Sequence, residues 1–407
     1  MRGGTAFRNA HIMGSEQPAV CVPSRAMLLT GRSLFHLHKT GNVIPPEHPT
    51  YPQLLRKAGY DTFAAGKWHN DRASFARSFS GGGAIFFGGM GDQAKVNVYD
   101  FDAGGTYPKD RVRVGGRYST ELFTDEAVNF IRGRKDKPGR PFYLHLAFTV
   151  PHDPRTVPPG YEGRYDPADV KLPENFLPRH PFDNGEMDVR DEVLTTRPLS
   201  PDYLKRELAA YYAMITHMDE QIGRVLEALR ESGHADNTIV VFAADNGLAL
   251  GSHGLLGKQN LYQHSVGVPL VIKGPGIPAG QTSDALCYLT DLCPTLLDLA
   301  GVSSPAGIDG KSLLPVLRGE KDSIRDGLLF AYKDFQRGYR DGRWKLIQYF
   351  VADRYFTVQL FDLKADPYET RNLAGDPGHS DTLARLRKAM DEAQQAADDP
   401  QAGKWPG

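Results

Sequence analysis

The chain has 407 residues, 40% of them apolar, and its 48 basic and 49 acidic residues leave a formal charge of −1. That length and composition allow a large buried core, and the near-zero charge excludes bulk electrostatic attraction to nucleic acid or an anionic membrane. No apolar run is long enough to span a bilayer, and the "RGGTAFRNAH" after Met1 lacks the apolar segment of a signal peptide.

In chain order, the first clear element is a short helix in "AVCVPSRAMLLTGRS", with Pro23 in its first turn and Gly31 at its exit. A buried strand is expected over Tyr60–Ala65. The glycine-rich "SGGGAIFFGGMGD" then reads as a long loop. A second strand covers Phe142–Val150, and a proline-rich span from Pro151 to Pro201 comes after it. Both long connections fit either a functional lid or a plain surface insertion. The strongest helix comes next, with Leu204, Leu208, Tyr211, Ile215, Met218, Ile222, Val225 and Leu229 on one face predicted to be core. Two more buried strands are expected over Thr238–Ala244 and Val268–Lys273. Strands alternating with helices indicate an α/β architecture with a largely parallel sheet. After about Leu317 the pattern changes to strands and turns ("GLLFAYKD", "GRWKLIQYF", "VQLFDLKADPYE") and a polar helix near Asp381–Ala397. This divides the chain into a main region over 1–317 and a smaller α+β subdomain over 318–407. No internal repeat is visible.

Three cysteines, Cys21, Cys287 and Cys293, show no metal-ligand spacing and leave at least one thiol unpaired. Cys21 stands at a helix mouth, where backbone N–H groups and the helix dipole favour an anion, and Arg25 lies four residues on, on the same face. In "GKWH", which follows a predicted strand, an extended backbone would point Lys67 and His69 to one side. "TVPHDP" places His152 at the carboxyl end of another strand, where open α/β sheets bind ligands. "TIVVFAADNG" delivers Asp245 and Asn246 beyond a third; adjacent oxygen donors suit a hard cation, although D-N-G is also a turn signal.

The string C-V-P-S-R followed by "LLTGR" resembles the signature of the type I sulfatases, the formylglycine-dependent branch of the alkaline phosphatase superfamily. The resemblance covers nearly the whole chain. It implies an alkaline-phosphatase-like sheet flanked by helices, with a small C-terminal subdomain. It also implies that Cys21 is oxidised after translation to formylglycine, whose hydrated aldehyde is the nucleophile. By the same resemblance Lys67 binds sulfate, His69 orients the formylglycine and His152 faces the substrate. "GSHGLLGKQNLYQHSVGVPLVIKGPGI" looks like the segment carrying a second active-site lysine, assigned to Lys258. This chain departs from the family with Gln263 where an acid is common and Gly267 where arginine is common. "LFDLKADPYETRNLA" resembles a mostly structural stretch of the family's C-terminal subdomain.

The activity implied is hydrolysis of a sulfate ester to an alcohol and sulfate. Arg25, Lys67, Lys258 and a divalent cation, Ca²⁺ or Mg²⁺, would stabilise the developing charge, with Asp245, Asn246 and the modified Cys21 as metal ligands. His152 or Lys258 would protonate the leaving alcohol, and His69 would deprotonate the second hydroxyl of the hydrate. The partners implied are a small-molecule or carbohydrate sulfate ester and a formylglycine-generating enzyme, with no role for nucleic acid or membrane. Sulfatases usually open with a strand ending in paired aspartates, and "GTAFRNAHIMGS" resembles the segment immediately after that strand. A shortened amino terminus, a strand supplied by another chain and a defective member are the three accounts of this. A periplasmic or extracellular location is expected if a signal peptide precedes the sequence, and a cytoplasmic one otherwise. Sibling activities on phosphonate monoesters or phosphodiesters, and an inactive anion-binding protein, are the alternatives. The alcohol, whether choline, sugar or aryl, has no readable code.

Overall fold

The computed structural model describes residues 3–135, 139–352 and 354–404. Strands β1 (Thr5–His11) and β2 (Gly14–Ser15) lead into helix α1 (Cys21–Thr30), which stops where Gly31 takes the left-handed conformation, φ 70°. Helix α2 (Tyr51–Lys57) starts at Thr50, whose side chain accepts the Gln53 N–H, and α3 (Arg72–Ser78) starts at Asp71, which accepts the Ser74 N–H. Between them runs β3 (Asp61–Lys67), with β4 (Gly81–Phe86) and β7 (Phe142–Ala147) parallel to it on either side. A small ribbon, β5 (Asn97–Val98) and β6 (Arg113–Val114), and helix α4 (Ser119–Arg132) fill the interval.

Helix α5 (Pro201–Glu231) leads to β8 (Val240–Ala243), the short α6 (Gln263–Val266), β9 (Leu270–Lys273) and β10 (Gln281–Tyr288). These strands form a second sheet in the order β10-β1-β9-β8, with β1 and β10 parallel and β9 antiparallel to both β1 and β8. Helices α7 (Leu292–Leu299) and α8 (Leu314–Leu317) precede a third sheet, in which β11 (Leu328–Tyr332), β12 (Gln336–Arg340), β13 (Trp344–Val351) and β14 (Arg354–Asp362) run antiparallel. β2 joins its edge in parallel with β11, tying the segment before α1 to the C-terminal sheet, on which α9 (Ser380–Ala396) packs. The expected mixture of a mainly parallel α/β region and an α+β tail is present, but the parallel pairs are split among three sheets, β2 with β11 included, and β8 and β9 are antiparallel.

Three expectations need correction. The glycine-rich stretch is not all loop, because Gly81–Phe86 is β4. Its glycines permit close packing: a Cβ on Gly83 would lie 2.1 Å from the Glu126 carboxylate of α4, and one on Gly82 would lie 2.9 Å from the Ala64 carbonyl oxygen. Next, the strand expected over Phe142–Val150 ends at Ala147, where its ladder with β3 stops at the Gly66–Ala147 pair. Last, β7 and β8 are only half-buried, and on α5 the residues Tyr211, Ile215, Met218, Ile222 and Val225 are half-buried while Leu204, Leu208 and Leu229 are buried. Each strand is the edge of its sheet, so Phe142, Leu144 and Val240 meet the helix with one flank uncovered. Among the described residues no helix is long and apolar enough to cross a membrane.

Candidate active site

The carboxyl end of β3, the N-terminus of α1 and the loops after β7 and β8 converge. Cys21 is the first residue of α1 and is buried. Its Sγ lies 3.2 Å from His69 Nδ1 and 3.7 Å from Lys67 Nζ. Lys67 ends β3, whereas His69 lies past it with φ +70°, in the left-handed region. Alternation along a strand therefore does not bring these two side chains together; a backbone reversal does, while Trp68 between them goes into the core. Gly66, also at positive φ, lets β3 approach β7, because a Cβ there would lie 2.0 Å from the Ala147 carbonyl oxygen.

Arg25 sits one turn along α1. Its Nε donates to Asp245 Oδ2 at 2.7 Å and its Nη1 to the Lys67 carbonyl at 2.8 Å. Burial alone would raise the Asp245 pKa, but Arg25, Lys67 and Lys258 together hold the carboxyl well below the usual range. Burial pushes the Lys67 pKa down, against the opposing pull of Cys21 and Asp245. His69 is pushed down to about 3, first by burial and then by the Lys67 and Arg25 cations. It is therefore neutral at physiological pH.

Lys258 and His152 form the other wall. Lys258 Nζ is 3.1 Å from His152 Nε2, and its charge acts on Lys67, His69 and Asp245. The structure thus gathers Cys21, Arg25, Lys67, His69, His152, Asp245 and Lys258 from segments more than two hundred positions apart. Three cations face one carboxylate, Asp245, among them, an arrangement suited to an anion.

Asp245 and Asn246 follow β8 as expected. Asn246 Oδ1 is buried with no hydrogen-bond partner among the described residues, which is the chemistry of an oxygen donor for a hard cation. However, one Asp245 oxygen is taken by Arg25, and among the described residues no three His, Cys, Asp or Glu side chains group to hold a metal. Asp245, Asn246 and one oxygen of a modified Cys21 fall short of the about six that such a cation takes, so the residues present do not fit the group as a complete site.

Several contributors escaped the sequence reading. Asp153 meets His152, and Asp191, from the proline-rich span, lies 3.9 Å from Lys258 Nζ and accepts from Gln259 at 2.9 Å. Glu192 accepts the Leu256 and Gly257 N–H groups at 2.8 and 2.7 Å, fixing the turn that presents Lys258. The span from Pro151 to Pro201 is therefore a wall of the site rather than a detached insertion. Gly89, in the remaining part of the glycine-rich stretch, backs His69: a Cβ there would lie 2.5 Å from Nε2. "PHDP" carried a signal for Asp153; the others come from segments without periodicity. Of the two departures, Gln263 accepts from Lys345 at 3.1 Å beside Glu369, which supplies the negative charge there.

The family model described as sulfatase matches residues 1–302, and that of the N-sulphoglucosamine sulphohydrolase C-terminal region matches residues 251–396. An N-acetylglucosamine-6-O-sulfatase of Bacteroides thetaiotaomicron is 29% identical, over 96% of this chain and 80% of that protein. A choline-sulfatase of Rhizobium meliloti is 30% identical, over 95% of this chain and 81% of its own length. A solved structure of a protein in complex with its substrate D-glucosamine-2-N,6-O-disulfate superposes with a TM-score of 0.81 at 25% identity, covering 98% of this chain and 92% of the other.

Proposed function

The chain belongs to the sulfatase family of the alkaline phosphatase superfamily and is a sulfuric ester hydrolase; from that premise we propose that its substrate is a sulfated carbohydrate and that Cys21, as formylglycine, is its nucleophile. The observation that carries the assignment is the position of Cys21 Sγ between His69 Nδ1 and Lys67 Nζ, at 3.2 and 3.7 Å. That sulfur stands where the oxygens of a hydrated aldehyde would lie. A formylglycine-generating enzyme is the partner that maturation requires.

Formylglycine supplies a hydroxyl for attack on sulfur. Lys67, Arg25 and Lys258 neutralise the sulfate oxygens and the charge that develops as the S–O bond breaks. Bound sulfate in turn offsets the cationic field that depresses the His69 pKa, so Nδ1 gains basicity when it must take the proton of the second hydroxyl and release sulfate. Lys258 and His152, hydrogen-bonded to each other, are the groups assigned to protonate the departing alcohol. The family resemblance implies Ca²⁺ or Mg²⁺ as well. Asp245 and Asn246 are the oxygens this chain offers it.

A sugar substrate draws support from the two glucosamine-related proteins, and the choline-sulfatase is the counterweight. Sulfate release should be compared on glucosamine 6-sulfate, choline sulfate and a nitrophenyl sulfate, after co-expression with a generating enzyme. The expected order of kcat/KM places the sugar ester above choline sulfate by at least tenfold. Preference for choline sulfate would overturn the sugar assignment, and faster turnover of a phosphonate monoester would replace the sulfate reading.

A further inference from the structure

A ring of charged groups closes behind His152. His152 Nδ1 lies 2.9 Å from the Asp153 carbonyl oxygen and 3.1 Å from Asp153 Oδ1, while Nε2 lies 3.1 Å from Lys258 Nζ. Both neighbours of Nδ1 are acceptors only, so this nitrogen carries the hydrogen. Nε2 of the neutral ring is then an acceptor, and Lys258 donates to it. Asp153, 9% exposed at its side chain, is ion-paired with Arg190, whose Nη1 is also 3.2 Å from Asp191 Oδ1. Asp191 returns to Lys258 at 3.9 Å. Arg190 thus links the loop after β7 to the proline-rich wall, and both ends of the link reach the His152–Lys258 pair.

We propose that Asp153, held by Arg190, is the positioning residue of the leaving-group acid: it fixes the proton on His152 Nδ1 and aims Nε2 at Lys258. The inference rests on the sulfate-ester reading above. When the S–O bond to the alcohol breaks, its electron pair stays on the alcohol oxygen. That oxygen takes the proton shared between Lys258 Nζ and His152 Nε2, and solvent water reprotonates the pair. Asp153 touches neither substrate nor the reacting atoms. Without its carboxylate only the Asp153 carbonyl oxygen holds Nδ1, the imidazole is less firmly oriented and its hydrogen less strongly kept on Nδ1, and the shared proton is misplaced.

The dependence on leaving group separates this role from a structural one. A nitrophenolate departs without protonation, whereas a sugar or alkyl alkoxide does not. For Asp153→Asn, kcat on an alkyl or sugar sulfate should fall roughly 10–100-fold with KM changed less than about threefold, while kcat on nitrophenyl sulfate falls less than about threefold. Arg190→Gln, at a residue half-exposed to solvent, should show the same bias at smaller size, and Asp153→Glu should recover part of the alkyl rate. Wild-type turnover of nitrophenyl sulfate, measured first, tests the sulfatase reading by itself. With that rate in hand, equal losses on both ester classes, or no loss on the alkyl ester in either variant, would overturn the assignment to Asp153 alone. If Asp153→Asn does not fold, Arg190→Gln decides by the same ratio.

Discussion

The Sγ of Cys21 and the Nδ1 of His69 lie 3.2 Å apart, although one atom belongs to the first residue of a helix and the other to a backbone reversal beyond a strand. Cys21→Ala should therefore remove turnover of sulfate esters by at least about 10³-fold while leaving the thermal midpoint nearly unchanged, since a small residue suits a helix entrance. His69→Ala should leave binding of sulfate but stall its release. A Cys21→Ala variant with wild-type turnover would place the nucleophile elsewhere, and peptide mass spectrometry of the co-expressed protein reads the state of position 21 directly.

Gly89 gives a finer test of the same pair. An added methyl would press on His69 Nε2 at 2.5 Å, and the ring can yield only by moving Nδ1 relative to Cys21. Gly89→Ala should lower kcat by about tenfold, the scale of a misplacement at a preorganised group, with little loss of stability. The comparison is steady-state kinetics beside a melt. Unchanged kcat would show that the loop after β4 moves aside freely.

Removing a cation should cost more than a surface charge deletion. Arg25→Ala leaves Asp245 buried without its 2.7 Å partner, and Lys67→Ala removes the ammonium nearest Cys21 Sγ. Each should raise the barrier by about 3 kcal/mol, a loss of about 10²-fold in kcat/KM, as for other electrostatic groups aimed at developing charge. Arg25→Ala should also lower stability, and Lys67→Ala should not. A loss under threefold in either would put the anion outside this cluster.

What the sequence disclosed and what it hid have physical reasons. Gly31 and Pro23 bound α1 because helix ends have local chemistry, and "TIVVFAADNG" placed Asp245 because strand ends do as well. The convergence of Cys21, Lys67, His69, His152 and Lys258 was legible through string resemblance, not through spacing, since contacts spanning more than two hundred positions leave no periodic trace. β4 was hidden because Gly81, Gly82 and Gly83 have no side chains to alternate, and close packing by Glu126 is a tertiary fact. Asp191 and Arg190 were invisible for the same reason: the proline-rich span is positioned by bonds such as Glu192 to Leu256, not by its own pattern. The half-buried face of α5 follows from two edge strands beneath it, which periodicity does not report.

Acid should weaken the fold through two histidines outside the catalytic cluster. Burial pushes His145 down to about 3 and His180 down to about 4, and each keeps an Nε2 with no hydrogen-bond partner among the described residues. Both folded values lie below the ordinary 6.5, so below that pH the unfolded chain binds protons that the folded chain refuses. Stability is full above pH 6.5 and falls as pH drops toward 4 and 3, by about 2 kcal/mol for each residue at pH 5. Urea midpoints at pH 7.5 and 5 measure this, and a His145→Gln variant should show a shallower slope. A slope identical to wild type would mean that His145 is not the buried neutral group described.

A buried ion pair lies in the contact between the C-terminal sheet and the region around α6, beside the Tyr262–Gln359 hydrogen bond and the apolar packing of Tyr262 and Val266 with Phe330, Tyr349 and Phe361. Lys345 Nζ lies 2.7 Å from Glu369 Oε1, with side-chain exposures of 0% and 1%, and Gln263 serves both by accepting from Lys345 and donating its N–H to Glu369 Oε2 at 2.7 Å. Burial lowers the Lys345 pKa to about 8, and Glu369 is what keeps the ammonium charged. Glu369→Gln leaves that charge unpaired in the core and should cost about 3–5 kcal/mol, read as a lower urea midpoint. Removing both charges is a different matter, because the desolvation of each ion is then recovered. The double variant Lys345→Met with Glu369→Leu should regain most of the loss, with sulfatase activity following stability rather than falling on its own. A double variant no more stable than Glu369→Gln would show that the pair is required for its geometry, through Gln263 and the turn at Glu369, and not only to neutralise a buried charge.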